Sequence, residues 1–227
     1  MAARELIAES LTPDGEALAL LLEGADHVVR VRGELLMSSR QCGSEQAMAT
    51  IGLEHCRNAA RPNVLVAGLG MGFTLRAVLD ALPGDAGITV IELFEDVVHW
   101  NRGPLAGYAG RALDDPRVEV VVGDLGVYLR GQTQRFDAIL VDVDNGPEAF
   151  TVDSNDVLYA PEGLDAFYQA LAPGGLMVLW SAFRSRDFEQ RLRRAGFDAR
   201  SVPVRARGTV RKGSRHTLFV GARGSHD

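Results

Sequence analysis

Residues 64–72 read Val-Leu-Val-Ala-Gly-Leu-Gly-Met-Gly. Four apolar residues run straight into three glycines, Gly68, Gly70 and Gly72, each separated by one residue. The apolar run predicts a buried strand. Glycine is the residue a chain uses where φ turns positive or where something comes too close for a Cβ. Asking what comes so close at this point decides how the rest of the chain is read. A G-x-G-x-G run after a strand and before a helix is the turn of a βα unit that can face a nucleotide. Glycines serving only a tight strand-to-helix turn are the simpler alternative.

Outward from this turn the pattern alternates. Strands are expected at 64–68, 88–92, 118–124, 137–143 and 176–182. Helices are expected at about 74–82, 95–101, 127–130, 161–171 and 185–195. Continuous apolar strands alternating with helices predict a parallel sheet covered on both faces. The last two apolar segments, ARSVPVRAR (199–207) and HTLFVGAR (216–223), predict an antiparallel edge hairpin. Upstream, residues 17–38 predict short strands around Gly24 and Gly33, and Ser44 is expected to cap a helix over 44–59. The fold class is therefore α/β: a Rossmann-like, seven-stranded, mostly parallel sheet with helices on both faces and a small N-terminal β region. Two parts are expected: 1–60, the β region and linking helix, and 61–227, the nucleoside-binding body.

Bulk composition narrows the function classes. The 227 residues are 46% hydrophobic and 24% charged, with a net charge of −6, which argues against binding nucleic acid by general charge attraction. The basic stretch 205–216 reads as a solvated turn. Two cysteines, Cys42 and Cys56, make no metal-ligand set, and no metal is expected. MAARELIAES is acidic and lacks an apolar core, so a signal peptide is not expected. No window suggests a membrane span, and a cytoplasmic protein follows as the expectation.

Three acids occupy the ends of the strands that follow the glycine turn, where ligands of open α/β sheets bind. Glu92 ends the second, and an acid there can accept both hydroxyls of a ribose. Asp124 ends the third, within reach of an adenine amino group. Asp142 ends the fourth and faces the reacting centre. The loop lacks Lys-Ser/Thr and so is no phosphate-cradling loop. Its G-x-G-x-G spacing, in place of G-x-G-x-x-G, favours an adenosine ligand without a pyrophosphate. A nicotinamide-dependent oxidoreductase ranks below that reading.

Together the blocks VLVAGLGMGFTLRAVL, VIELFEDVVHWNR, DPRVEVVVGDLGVYL, FDAILVDVDNGPEAF and LYAPEGLDAFYQALAPGGLMVLW resemble the polyamine aminopropyltransferase (spermidine synthase) group. That group lies within the class I S-adenosylmethionine-dependent transferase fold. The resemblance implies a donor, S-adenosylmethionine or its decarboxylated form, lined by Gly68, Gly70 and Gly72. Glu92 would hold the ribose, and Asp124 with the backbone of Leu125 the adenine. Asp142 would be the catalytic acid, with Asp144 beside it, and residues 143–158 a closing loop.

The departures fall on the acceptor side. Met71 stands where the family has an acid in the glycine loop, Asn145 replaces a second carboxylate, and Ser44-Glu45 replaces a Tyr-His pair. A dication is held by carboxylates through charge-assisted hydrogen bonds, so putrescine becomes a doubtful substrate and an amine of another shape stays open. Glu45, Asp144, Glu148 and Asp153 could restore some of the lost charge. Aminopropyl transfer, S-adenosylmethionine-dependent methyl transfer and a non-catalytic nucleoside-binding protein are the three readings carried forward. The resemblance leaves a homodimer open.

Overall fold

A computed structural model describes residues 4–12, 15–40, 42–56, 59–143, 156–205 and 214–225. The VLVA segment is an inner strand. It forms β5 (Asn63–Ala67) of a seven-stranded sheet. β6 (Gly87–Glu92) and β7 (Val118–Val122) lie on one side of it. On the other side lie β8 (Phe136–Val141), β9 (Leu171–Ser181), β11 (Arg215–Ala222) and β10 (Asp198–Arg205). β5 to β9 run parallel, and β10 and β11 add the antiparallel edge. The chain goes one way from β5 into β6 and β7, then crosses back to β8. The strand order thus reverses beside β5, at its boundary with β8, where open α/β sheets form a binding crevice.

Helices cover both faces, as continuous apolar strands require. α1 (Gly43–Gly52), α2 (Phe73–Ala81) and α3 (Glu95–Arg102) pack on one face, in a core that includes Val64, Val66, Leu140 and Val178. α4 (Leu125–Leu129), α6 (Pro161–Ala170) and α7 (Arg186–Arg194) cover the other, around Leu65, Ile139, Phe167 and Phe219. The short α5 (Asp156–Tyr159) precedes α6.

The N-terminal β region is larger than the sequence suggests. β1 (Arg4–Leu11) joins β2 (Ala17–Glu23), β3 (Asp26–Val31) and β4 (Glu34–Ser38) in an antiparallel sheet. Its inward residues Leu18, Leu20 and Val29 share one core with Met48, Leu69, Met71 and Trp100. β1 escapes notice because Glu5, Glu9 and Ser10 break its apolar run, and its exposed residues outnumber its half-buried ones.

Other boundaries shift for physical reasons. α1 stops at Gly52 rather than near 59. A Cβ on Gly52 would lie 2.3 Å from Leu140 Cδ2, so the last residue of the helix packs directly on the sheet. The cap of α1 is Cys42, with no side-chain capping bond. Ser44 lies in the first turn and donates instead to Glu45 Oε2 at 2.8 Å. β9 begins at Leu171, five residues before the expected strand, with a register shift opposite Phe136–Ala138. Tyr168 packs edge-on to Phe197 at 5.1 Å, against the core that also holds Phe167 and Leu171. Among the described residues no helix is long and apolar enough to cross a membrane.

Candidate functional site

The glycine turn answers the question it raised, and much of the answer is the protein itself. Gly68 has φ +89°, and a Cβ there would lie 2.2 Å from the carbonyl oxygen of Asp142. Gly68 lets the end of β8 draw against the end of β5, where the Asp142 N–H donates to the Ala67 carbonyl at 2.8 Å. Gly72, φ +79°, precedes α2, and a Cβ on it would meet Ala109 Cβ at 2.8 Å. Only Gly70, φ +53°, leaves room, with Met37 Sδ the nearest atom at 3.8 Å. The middle of the loop is therefore open, while its two ends are packed.

Glu92 is 7% exposed. Its Oε2 accepts from Leu69 N–H at 2.8 Å and its Oε1 from Phe94 N–H at 3.0 Å. Burial pushes its pKa above the usual carboxylate value, and these backbone donors partly offset that. A carboxylate held from behind in this way keeps lone pairs for a second donor. Asp124 is exposed, and its Oδ1 caps α4 by accepting from Val127 N–H at 2.7 Å. Leu125 opens that helix and is buried. Asp142 is half-buried and accepts from Thr74 Oγ1 at 3.3 Å. Asp144, Asn145, Glu148 and Asp153 lie outside the described residues, as does most of the expected closing loop. Among the described residues no group of three His, Cys, Asp or Glu side chains is disposed to hold a metal ion.

β7, β6, β5 and β8 are neighbours in that order. The sheet therefore brings Asp124, Glu92, the glycine turn and Asp142 to one edge in a row, adjacent strands being about 4.8 Å apart. The row is wide enough for a nucleoside-sized ligand lying across the strand ends.

Two residues supporting this row carried no obvious sequence signal. Asn101 is buried, and its Nδ2 donates to the Gly70 carbonyl at 2.8 Å and to the Val97 carbonyl at 2.9 Å. An amide on the apolar stripe of α3, four residues after Val97, was the available hint. Thr74, which follows the turn, holds Asp142. Tyr108 stacks edge-on against Phe73 at 6.4 Å and shares a 2.8 Å hydrogen bond with His27 of the N-terminal sheet. Met71, at the position of the family's loop acid, is 4% exposed and belongs to the core.

The spermine/spermidine synthase domain, as a sequence family, matches residues 43–189. The chain belongs to the spermine/spermidine synthase family. The polyamine aminopropyltransferase of Mycobacterium tuberculosis H37Rv is 38% identical over 120 residues, which are 52% of this chain and 22% of that protein. That of Aeropyrum pernix is 30% identical over 188 residues, 75% of this chain and 59% of the relative. The chain thus spans less than a quarter of the mycobacterial protein and under two thirds of the archaeal one. Among solved structures, spermidine synthase from Thermotoga maritima superposes with a TM-score of 0.74 at 19% identity, covering 98% of this chain and 74% of that one. A spermidine synthase in complex with the transition-state analogue AdoDATO gives 0.73 at 18% identity, covering 98% and 73%. For this member of the spermine/spermidine synthase family the shared fold extends through the N-terminal sheet, beyond the matched residues 43–189.

Proposed function

We propose that this protein transfers an aminopropyl group from decarboxylated S-adenosylmethionine to the nitrogen of an amine. The observation that carries this is the row Asp124, Glu92, glycine turn, Asp142 along one edge of the parallel sheet, in a chain of the spermine/spermidine synthase family. The relatives named as polyamine aminopropyltransferases, and the related fold crystallised with AdoDATO, support it.

The residues fit the donor. Glu92, fixed by Leu69 and Phe94, presents acceptors to the ribose diol. Asp124 with the Leu125 N–H serves the adenine edge, and the open middle of the loop at Gly70 admits the sulfonium side. Asp142 sits where the amine arrives. The amine lone pair forms a bond to the carbon beside the sulfonium. The carbon–sulfur bond breaks, its electron pair goes to sulfur, and methylthioadenosine leaves. Asp142 accepts the proton the new ammonium sheds, and Thr74 holds its carboxylate in place. Most of the acceleration comes from aligning nitrogen, carbon and sulfur, with proton acceptance adding to it.

Met71 favours one second reading. The loop that brings an acid to this point in other members here turns an apolar side chain into the core. The negative charge that would repel the carboxylate of intact S-adenosylmethionine is thus absent from that position. Methyl transfer becomes compatible with the donor pocket.

Calorimetric titration with S-adenosylmethionine, its decarboxylated form and methylthioadenosine separates the readings. Tighter binding of the decarboxylated donor, followed by amine-dependent release of methylthioadenosine, is the expected result. Tighter binding of the intact cofactor turns the assignment to methyl transfer. Binding without turnover on any amine leaves a nucleoside-binding protein, and no binding of any of the three overturns the proposal.

A further inference from the structure

Among the described residues two side chains hydrogen-bond the backbone of the glycine turn, and both come from the β6–α3 unit. Glu92, at the end of β6, accepts the Leu69 N–H at 2.8 Å. Asn101, on the buried side of α3, donates from Nδ2 to the Gly70 carbonyl at 2.8 Å. The segment between these two ties is a closed turn, because the Gly72 N–H donates to the Leu69 carbonyl at 2.8 Å. Gly70 is its first central residue, with φ +53°. Once the ends of a β-turn are closed, its central peptide is the unit left to flip, and turn types I and II differ by that flip. Asn101 holds the central peptide by its carbonyl.

The Asn101 amide is itself fixed. Its nitrogen carries two N–H groups, and the other tie runs to the Val97 carbonyl at 2.9 Å, one helical turn back. Its oxygen end lies against Gly72, where a Cβ would come within 3.2 Å of Oδ1. One side chain thus spans the turn from Gly70 to the residue that caps α2. Its neighbours on the buried side of α3 are Val97, Val98 and Trp100. Asn101 is only 5% exposed, and an amide costs more to desolvate than the hydrocarbon that would fill the same space. Packing alone does not call for an amide here, whereas the Gly70 carbonyl does.

We propose that Asn101 is a positioning residue of the donor site, which together with Glu92 clamps the glycine turn in register with the carboxylate that meets the ribose. This rests on the proposed donor reading. Glu92 draws the turn by an N–H and Asn101 draws it by a carbonyl, so one strand–helix unit grips it at two points. Without Asn101 the central peptide flips, and Leu69, next in the chain, leaves its register with Glu92. The carboxylate then loses a backbone partner and no longer presents its remaining lone pairs in one fixed direction. Two ties on one element are not additive, because a turn released by one is no longer held in place by the other.

The test is a double-mutant cycle on the full chain, read by calorimetric titration with methylthioadenosine. Asn101→Leu keeps the size of the side chain and removes its N–H groups. It is expected to weaken binding about tenfold or more, the worth of one hydrogen bond to a charged group. In a Glu92→Gln background the same change is expected to weaken binding less than about threefold. Amide hydrogen exchange in the ligand-free protein separates a loosened turn from a loosened fold. Exchange at Leu69 is expected to quicken about tenfold in Asn101→Leu, and by more than at Val64 and Val66 of β5. Asn101→Ala serves for both measurements should the Leu variant fail to fold. Unchanged affinity in a folded Asn101 variant, an equal loss in both backgrounds, or unchanged exchange at Leu69 overturns the inference and leaves the donor reading standing. No binding of methylthioadenosine by the wild type overturns the donor reading, and the inference with it.

Discussion

Burying Glu92 costs stability, and under the proposed function it serves binding. Backbone N–H groups from its own strand end and from the glycine loop offset part of the cost of burying its charge. Because burial raises its folded pKa above 4.5, the folded protein takes up this proton more readily than the unfolded chain. The ligand-free protein therefore gains stability from this group as pH falls through that raised pKa toward 4.5, and loses it as pH rises back through it. Nucleoside binding moves the other way, since a protonated Glu92 loses acceptor capacity. Calorimetry across pH 4 to 8 should show methylthioadenosine affinity falling with a midpoint above 4.5. Glu92→Gln should weaken binding roughly 10- to 100-fold, the worth of about 1.5–3 kcal/mol for a hydrogen bond to a charged group. It should also flatten that pH dependence. Glu92 was legible in the sequence because an acid at the end of an apolar strand is conspicuous. Asn101 was less so, because nothing local to α3 says that its amide meets the Gly70 carbonyl.

The glycine turn shows that a ligand is not the first reason its glycines are needed. Three glycines after β5 predict a ligand-facing turn, and the turn does sit at the reversal of strand order. Yet Gly68 is needed first because the backbone of Asp142 fills the space of its missing side chain. Spacing within one segment cannot reveal a contact made by a strand more than seventy residues later. Gly68→Ala should therefore do more than strain a positive φ. The new Cβ must push β8 away from β5 at Asp142. A loss of about 3 kcal/mol or more is expected, read as a drop in denaturation midpoint. Any turnover should fall further than methylthioadenosine affinity, because the displaced group is Asp142 and not Glu92. A second element-scale anchor lies behind α2. Arg117 donates to the carbonyls of Leu79, Leu82 and Pro83 and is paired to Asp115 at 2.9 Å. It thereby satisfies the carbonyl end of the helix that begins at the turn. The guanidinium holds Asp115 down to about 2, so this pair contributes stability above pH 4 and loses it as pH falls through about 2. Arg117→Ala should cost about 2 kcal/mol, roughly 4–8 °C in Tm, by removing several charged hydrogen bonds at once.

At the scale of the whole molecule, the parallel body was legible because its strands and helices alternate with periods that a short window contains. The N-terminal sheet was only half legible, since β1 is polar and gains its place from pairing with β2. The two parts are joined at the site itself. Met37 lies nearest to Gly70, His27 bonds Tyr108 beside Phe73, and Ser10 bonds Asp96 of α3. Leu18, Leu20 and Val29 sit in the same core as Leu69, Met71 and Leu75. If that core is shared in energy as it is in space, the N-terminal sheet and the parallel body unfold together. Leu20 is fully buried, and Leu20→Ala should cost about 2–5 kcal/mol, the transfer term plus the cavity left behind. Denaturation followed both by far-ultraviolet circular dichroism and by tryptophan fluorescence separates the alternatives, because Trp100 and Trp180 both lie in the body. A common shift of both curves, still coincident, is the expected result. A circular dichroism transition that splits, with the fluorescence curve left in place, would mean that the small sheet is a separate unit merely resting on the glycine turn.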